Sequence, residues 1–187
     1  MHFIKKAKRY FFSLRYYVLF SSVIYFGSIL IGYFNASNDP GLTDDTLESL
    51  EEMIKPILGM SPAWQFLVVF LKNAFAGLLT ILLGAAFGIF PIITLFLNGS
   101  LLGILAITLK ETMSFSTFLL GILPHGILEI PFLIIAASCG MKVGRSLTRG
   151  NFKKEFVSAL VFFLKILLPM VFLAALIEIF ITPKFLP

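Results

Sequence analysis

Five stretches of this chain run for ~18 residues or more with few charges, and short polar segments separate them. They cover residues 16–34, 64–87, 91–109, 124–143 and 156–181. At ~1.5 Å of rise per residue each is long enough, as a helix, to cross ~30 Å of hydrocarbon. The pattern predicts an all-α polytopic membrane bundle of about five transmembrane helices, one domain over residues 1–187. Before the fourth span lies a further apolar run that ends at Pro124. Proline removes a helix hydrogen bond and bends or breaks the helix. The expectation is therefore a short interfacial or re-entrant helix over 114–123, capped by Ser114 or Ser116, with a break at Pro124-His125. The alternative is one kinked helix over 116–141.

The one sizeable polar loop is 35–61. Within it Leu47, Leu50, Ile54 and Ile57 repeat at steps of 3, 4 and 3, which predicts an amphipathic helix. Thr43 is the expected N-cap, followed by Asp44 and Asp45 in the first turn. This helix is expected either to pack on its own bundle and the membrane surface or to dock a partner protein. Its acidity disfavours tight binding to anionic lipid.

Charge sets the expected orientation. The net charge is +5, and the basic residues fall in two clusters. Lys5, Lys6, Lys8, Arg9 and Arg15 precede the first span, and Lys142, Arg145, Arg149, Lys153 and Lys154 lie between the fourth and fifth. The loop 35–61 holds six acids against Lys55 alone. Basic residues flanking spans mark the cytoplasmic side. The N-terminus and a loop over 142–155 are thus expected inside the cell membrane, with 35–61 and the C-terminus outside. A first span of ~19 residues exceeds the usual apolar core of a signal peptide, so it is read as a retained helix. Composition agrees: 58% hydrophobic, 13% charged and a mean hydropathy of +0.97, against ~25% charged in a soluble domain. The expected solvent partner is the lipid bilayer. Nucleic acid is excluded, since basic-aromatic patterning occurs only in the flanking segments. Cys139, the single cysteine, lies in an apolar run and is expected to pack.

Two kinds of residue stand out within the spans. Gly84/Gly88, Gly99/Gly103 and Gly140/Gly144 recur at four-residue spacing, and small residues so placed let membrane helices approach closely. Gly126 is grouped with them. The faces are expected to pack inside the bundle or, alternatively, to form a homodimer. The second kind is polar. Lys72, Glu129, Lys165 and Glu178 fall inside spans, and a central charge costs at least ~2.5–3.5 kcal/mol on insertion scales. Glu129 lies 13 residues before Lys142, ~20 Å of helix, which puts it in the outer half of its span. Lys165 lies 11 residues past Lys154, ~16 Å, near the midplane. Glu178 is expected to reach water at the outer end. His125 and Glu129, at i and i+4, share a helix face between Pro124 and Pro131. Together with Asn73, Asn98, Lys72 and Lys165 they form the expected polar intramembrane core, in which Glu129 pairs with Lys72 or Lys165.

That core admits three readings: buried hydrogen bonds that hold the bundle, a polar cavity for a proton, ion or lipid headgroup, or a metal site. For the last, His125 and Glu129 supply two ligands, whereas a closed zinc site takes four and His2 is the other histidine. No HExxH or GxSxG motif and no phosphate-cradling glycine loop occurs, so no catalytic residues and no cofactor are expected.

Asn73, Asn98-Gly99 with Gly103, Pro124-His125-Gly126 with Glu129, and Gly140/Gly144 resemble the pattern of the stage II sporulation protein M family over roughly residues 10–182. The Pro-His-Gly element with its following glutamate is the most specific part, and the outer acidic loop has no place in that pattern. The resemblance implies a multi-helix membrane protein. In spore-forming bacteria the family's namesake resembles an anchor for wall-degrading enzymes, without being one. The family also occurs in archaea, and this compact Ile/Leu/Phe-rich chain resembles that branch. The first expectation for function is a non-enzymatic membrane scaffold that engages a partner through loop 35–61. The second is a permease-like or lipid-handling protein with a cavity around His125 and Glu129. A membrane-embedded enzyme ranks third.

Overall fold

The computed structural model describes residues 2–110 and 114–185. The described residues form eight α-helices: α1 (His2–Ser13), α2 (Arg15–Asn38), α3 (Pro40–Leu58), α4 (Pro62–Leu82), α5 (Ile89–Thr108), α6 (Phe115–Thr148), α7 (Phe152–Phe162) and α8 (Leu168–Phe180). A π turn, Phe163–Leu167, joins α7 to α8 without a break, and no strand occurs among the described residues. Five helical segments are long and apolar enough to span a membrane: Arg15–Asn38, Pro62–Ala85, Ile89–Thr108, Ser116–Thr148 and Phe152–Lys184. These correspond to the five spans expected from the pattern: the second and third are shifted by one or two residues, and the first, fourth and fifth are longer, the fourth by thirteen residues.

Helix α6 is the spine. It touches every other spanning helix, and its centre, from Ala136 to Gly140, is buried on all sides. The reason is the small-residue run Ala136-Ala137-Ser138-Cys139-Gly140, which lets neighbours close in from several directions. Cys139 is fully buried, as a packing residue should be. Polar groups buried here bond across helices: Ser138 and the Ser21 hydroxyl of α2 lie 3.0 Å apart, while Ser138 also donates to Ile134 O. Ser138→Ala should cost about 1 kcal/mol, the size typical of an interhelical hydrogen bond in a membrane. Unfolding in mixed micelles measures it, and a loss of several kcal/mol would mean that more than this bond is at stake.

The glycines set where backbones meet. A Cβ on Gly84 would meet the Gly140 backbone, one on Gly144 would meet Gly84 O and Gly88 N, and one on Gly99 or Gly103 would strike α2 at Tyr25 O or Ile29 O. All three pairs are therefore consumed inside one chain. Gly126 departs from the expectation: a Cβ there would meet only Ile122 and Ile130 of its own helix. The α4–α5 turn is tight because Phe87 (φ 54°) and Gly88 (φ 76°) are both left-handed. For Gly88 this is free, but a non-glycine such as Phe87 is strained there.

Four local expectations are corrected. Residues 114–123 are not a separate piece: α6 is helical without interruption through Pro124 and Pro131, although Ser114 caps it as expected, accepting from Thr117 N at 3.2 Å. Neighbouring helices re-satisfy what a proline frees inside a membrane bundle, so the helix need not stop. With 34 residues, α6 is about 51 Å long. Second, the amphipathic helix starts earlier than Thr43. Asp39 caps it, accepting from Gly41 N at 3.1 Å, with Pro40 at the first helical position. Third, the basic segment 142–155 is mostly helix: Lys142 and Arg145 belong to α6, and only 149–151 turn the chain. Fourth, Lys165 is not in the core. The fifth span buries Ala159, Phe163, Leu167, Val171 and Ala175, steps of four throughout. On a regular helix that stripe would drift ~40° per step; the π turn absorbs an extra residue and keeps it on one face. Lys165, two residues from both Phe163 and Leu167, is thereby turned to the exposed side.

Candidate functional site

The polar residues gather toward the end of the bundle opposite the basic clusters, on the stretch of α6 between its two prolines. One helical turn apart, His125 and Glu129 project from the same face of α6. Asn73 of α4 reaches Glu129: its amide donates to Oε1 at 2.8 Å. His125 Nδ1 stands 3.4 Å from the Thr182 hydroxyl at the end of the fifth span. Thr182 is itself buried and directs its proton to Ile177 O at 3.2 Å. The hydroxyl oxygen is thus left to accept, and the imidazole donates from Nδ1. This contact favours the Nδ1–H tautomer, in which the Nε2 lone pair is free.

Glu178 of α8 completes the group. An imidazole nitrogen of His125 and carboxylate oxygens of Glu129 and Glu178 lie within 4.8 Å of one another. None of the three is fully buried. Lys72 is exposed on α4, yet close enough to act electrostatically on both carboxylates. Its long stem lets it lie along the bundle with the ammonium at the margin of the group.

A cleft of about 300 Å³ opens beside this cluster. Its walls are α2, α4 and α5, and α6 is its floor, with Tyr25, Asn73, Asn98, His125 and Glu129 among the lining residues. The cleft exists because α4 and α5, though consecutive, barely pack on each other: α4 packs on α6 and α8, and α5 on α2 and α6. Asn98 faces it from α5 but does not reach Glu129; it donates to Thr94 O at 2.8 Å in its own helix. Gly126 also lines the cleft, which is the role left to it once helix packing is ruled out.

Of the six polar residues expected to form the core, His125, Glu129 and Asn73 come together, Asn98 faces them across the cleft, Lys72 borders them, and Lys165 is elsewhere. Of the two cations expected to pair with Glu129, Lys72 acts on it electrostatically and Lys165 does not, and the groups beside Glu129 include a second carboxylate, Glu178. Glu178 and Thr182 are the residues that sequence reasoning missed. A signal was available: Glu178 is near the same end of its span as Glu129 is of its own, and depth matching would have put them level. The 3–4 spacing Ala174, Ala175, Glu178, Thr182 also continues the buried stripe.

The basic end is held differently. Lys142 Nζ pairs with Glu155 at 2.9 Å, donates to Ser13 Oγ at 2.7 Å and sits 4.5 Å over the Tyr10 ring. Burial lifts the Tyr10 hydroxyl well above its usual range, so the ring under Lys142 stays neutral. This knot ties α1, α6 and α7 together.

Comparison with curated proteins and with solved structures returned no match. Comparison with family models returned one, the description "Stage II sporulation protein M", over residues 21–183. That match runs from within α2 to the end of the fifth span and takes in the whole His125–Glu129–Glu178 group: the chain belongs to the stage II sporulation protein M family and is an integral membrane protein.

Proposed function

We propose that this protein is a non-enzymatic membrane protein of the permease-like or lipid-handling kind, which holds a small polar or cationic ligand in the cleft beside His125 and Glu129. The observation that carries the reading is the cleft itself. Buried polar groups that only brace a bundle are closed off by packing, whereas these line open space. Several convergent polar side chains in a mostly apolar concavity are the usual make-up of a binding site. The positive-inside rule supports a membrane orientation with α1 and the α6–α7 turn in the cytoplasm. The cleft then opens in the outer half.

Cysteine accessibility tests this. In a Cys139→Ala background, Asn98→Cys faces the cleft, and Leu97→Cys, on an exposed apolar position one residue away, faces lipid. A membrane-impermeant maleimide added outside sealed spheroplasts should label Asn98→Cys at least tenfold faster than Leu97→Cys. Equal rates from both sides of the membrane would dispose of an aqueous cleft; labelling only from inside would reverse the orientation.

A second reading has its own support. Helix α3 rests lightly on α2, α4 and α5, and Met53, Ile54 and Leu58 are exposed beside its acids. A scaffold that engages a partner protein through α3 uses that face, and it is compatible with a cleft elsewhere in the chain.

A further inference from the structure

We infer that His125, Glu129 and Glu178 form a binding site for one divalent transition-metal ion of the zinc class, bridging α6 to α8 at the edge of the cleft. This deepens the cleft reading and rests on it for the open fourth coordination position.

Three observations meet here. The first is the donor set. One imidazole and two carboxylates, from two helices, converge within 4.8 Å. In a tetrahedral site with bonds of ~2.0–2.1 Å, donors stand ~3.3 Å apart, so the side chains need to close by ~1.5 Å at most. That is within reach of small rotations about their own bonds. The mixture of nitrogen and oxygen suits zinc and its neighbours; calcium and magnesium prefer oxygen alone.

The second is the support behind the donors. Metal-bound histidines donate their other ring N–H to a fixed acceptor, and ligating carboxylates are themselves hydrogen-bonded. Thr182 takes the Nδ1 proton because its own goes to Ile177 O, and Asn73 holds the Glu129 carboxylate. Both arrangements leave a donor atom free to coordinate, Nε2 of His125 and the second oxygen of Glu129.

The third is charge. Glu178 is half-buried and has no hydrogen-bond or ion-pair partner among the described residues; His125 and Glu129 lie within 4.8 Å of it, and Lys72 acts on it electrostatically. Like charges this close in a low-dielectric span repel, and one exposed ammonium at the margin does not neutralise two carboxylates. A dication between them does. Three protein ligands, two of which line the cleft, would leave a fourth position for water or ligand, the layout of an exchanging site as opposed to a closed structural one.

The test uses tag-free full-length protein in detergent micelles, titrated with Co2+ and followed by its visible d–d absorption. The expected result is saturation at one Co2+ per chain and displacement by Zn2+. Glu178→Gln and His125→Asn should each weaken binding by well over tenfold, and Asn73→Ala by about 10- to 100-fold with the band shape kept. Glu178→Gln is nearly isosteric, so it decides the matter if His125→Asn does not fold. A wild-type chain with no saturable signal, or a signal unchanged in both variants, overturns the site. The maleimide experiment involves no metal, so the two ideas fail separately. Labelled Asn98→Cys without Co2+ binding removes only the metal, and Co2+ binding to a chain that resists labelling leaves a closed site and removes the cleft.

Discussion

Gly140→Val should lower the stability of this protein by more than about 3 kcal/mol, or abolish its folding. A Cβ at Gly140 would run into Thr80 O and come within 2.7 Å of Pro91 Cγ. Thr80 O is backbone, and Pro91 is fully buried at the start of α5, so no flexible side chain can give way. Relief requires α4 and α5 to move off α6, and the interlocked contacts at Gly84 and Gly144 would open with them. Overpacking in a well-packed core typically costs ~1–3 kcal/mol, and backbone separation across several contacts lies above that range. Gly140→Ala, whose single methyl meets the same two atoms, should lose at least ~1–3 kcal/mol but less than the valine. Gly27→Ala is the matched control, because nothing lies within 4 Å of its added methyl; it should be neutral or slightly stabilising through helix propensity. Reversible unfolding in SDS-containing mixed micelles ranks the three. Similar losses for Gly27→Ala and Gly140→Ala would show that the close approach at α6 is not what matters.

The second large effect is expected at Lys142. Its side chain is 16% exposed and that of Glu155 15%, so the pair is mostly withdrawn from water. Lys142→Met keeps the stem but leaves the Glu155 carboxylate buried without its cation. Breaking one partner of a buried pair costs ~3–5 kcal/mol, and the residual exposure puts this one near the lower figure. The double variant Lys142→Met/Glu155→Met should recover more than half of the loss, because two packed apolar groups leave no orphaned charge. The same unfolding assay reads both. A double variant as unstable as the single would shift the weight to the Ser13 hydrogen bond and the Tyr10 ring contact.

These two sites differ in how far the sequence announced them. Glycines four apart inside apolar spans point to close helix contact whatever the topology, because only a missing Cβ permits it. The structure adds which backbone each one meets. Lys142, by contrast, reads as one of several cytoplasmic cations, since nothing local distinguishes it from Arg145 or Lys153. Its partners Ser13, Tyr10 and Glu155 come from helices distant in sequence or across a turn. The same division runs through the polar cluster. His125 with Glu129 is visible as an i, i+4 pair, and Asn73 as a lone amide in a span. Glu178 reads in the sequence as a group near water, whereas in the fold it faces the other carboxylate.

The sequence by itself determined the spans, the amphipathic outer helix, the clustering of positive charge on one side and the family, because each depends on local composition or short-range spacing. Only the tertiary structure decided that α6 runs through both prolines, that the π turn sends Lys165 outward, and that α8 brings Glu178 and Thr182 to His125. Those outcomes depend on which faces of separate helices meet, and a helix's rotation about its axis is settled by packing against its neighbours, not by its own residues alone.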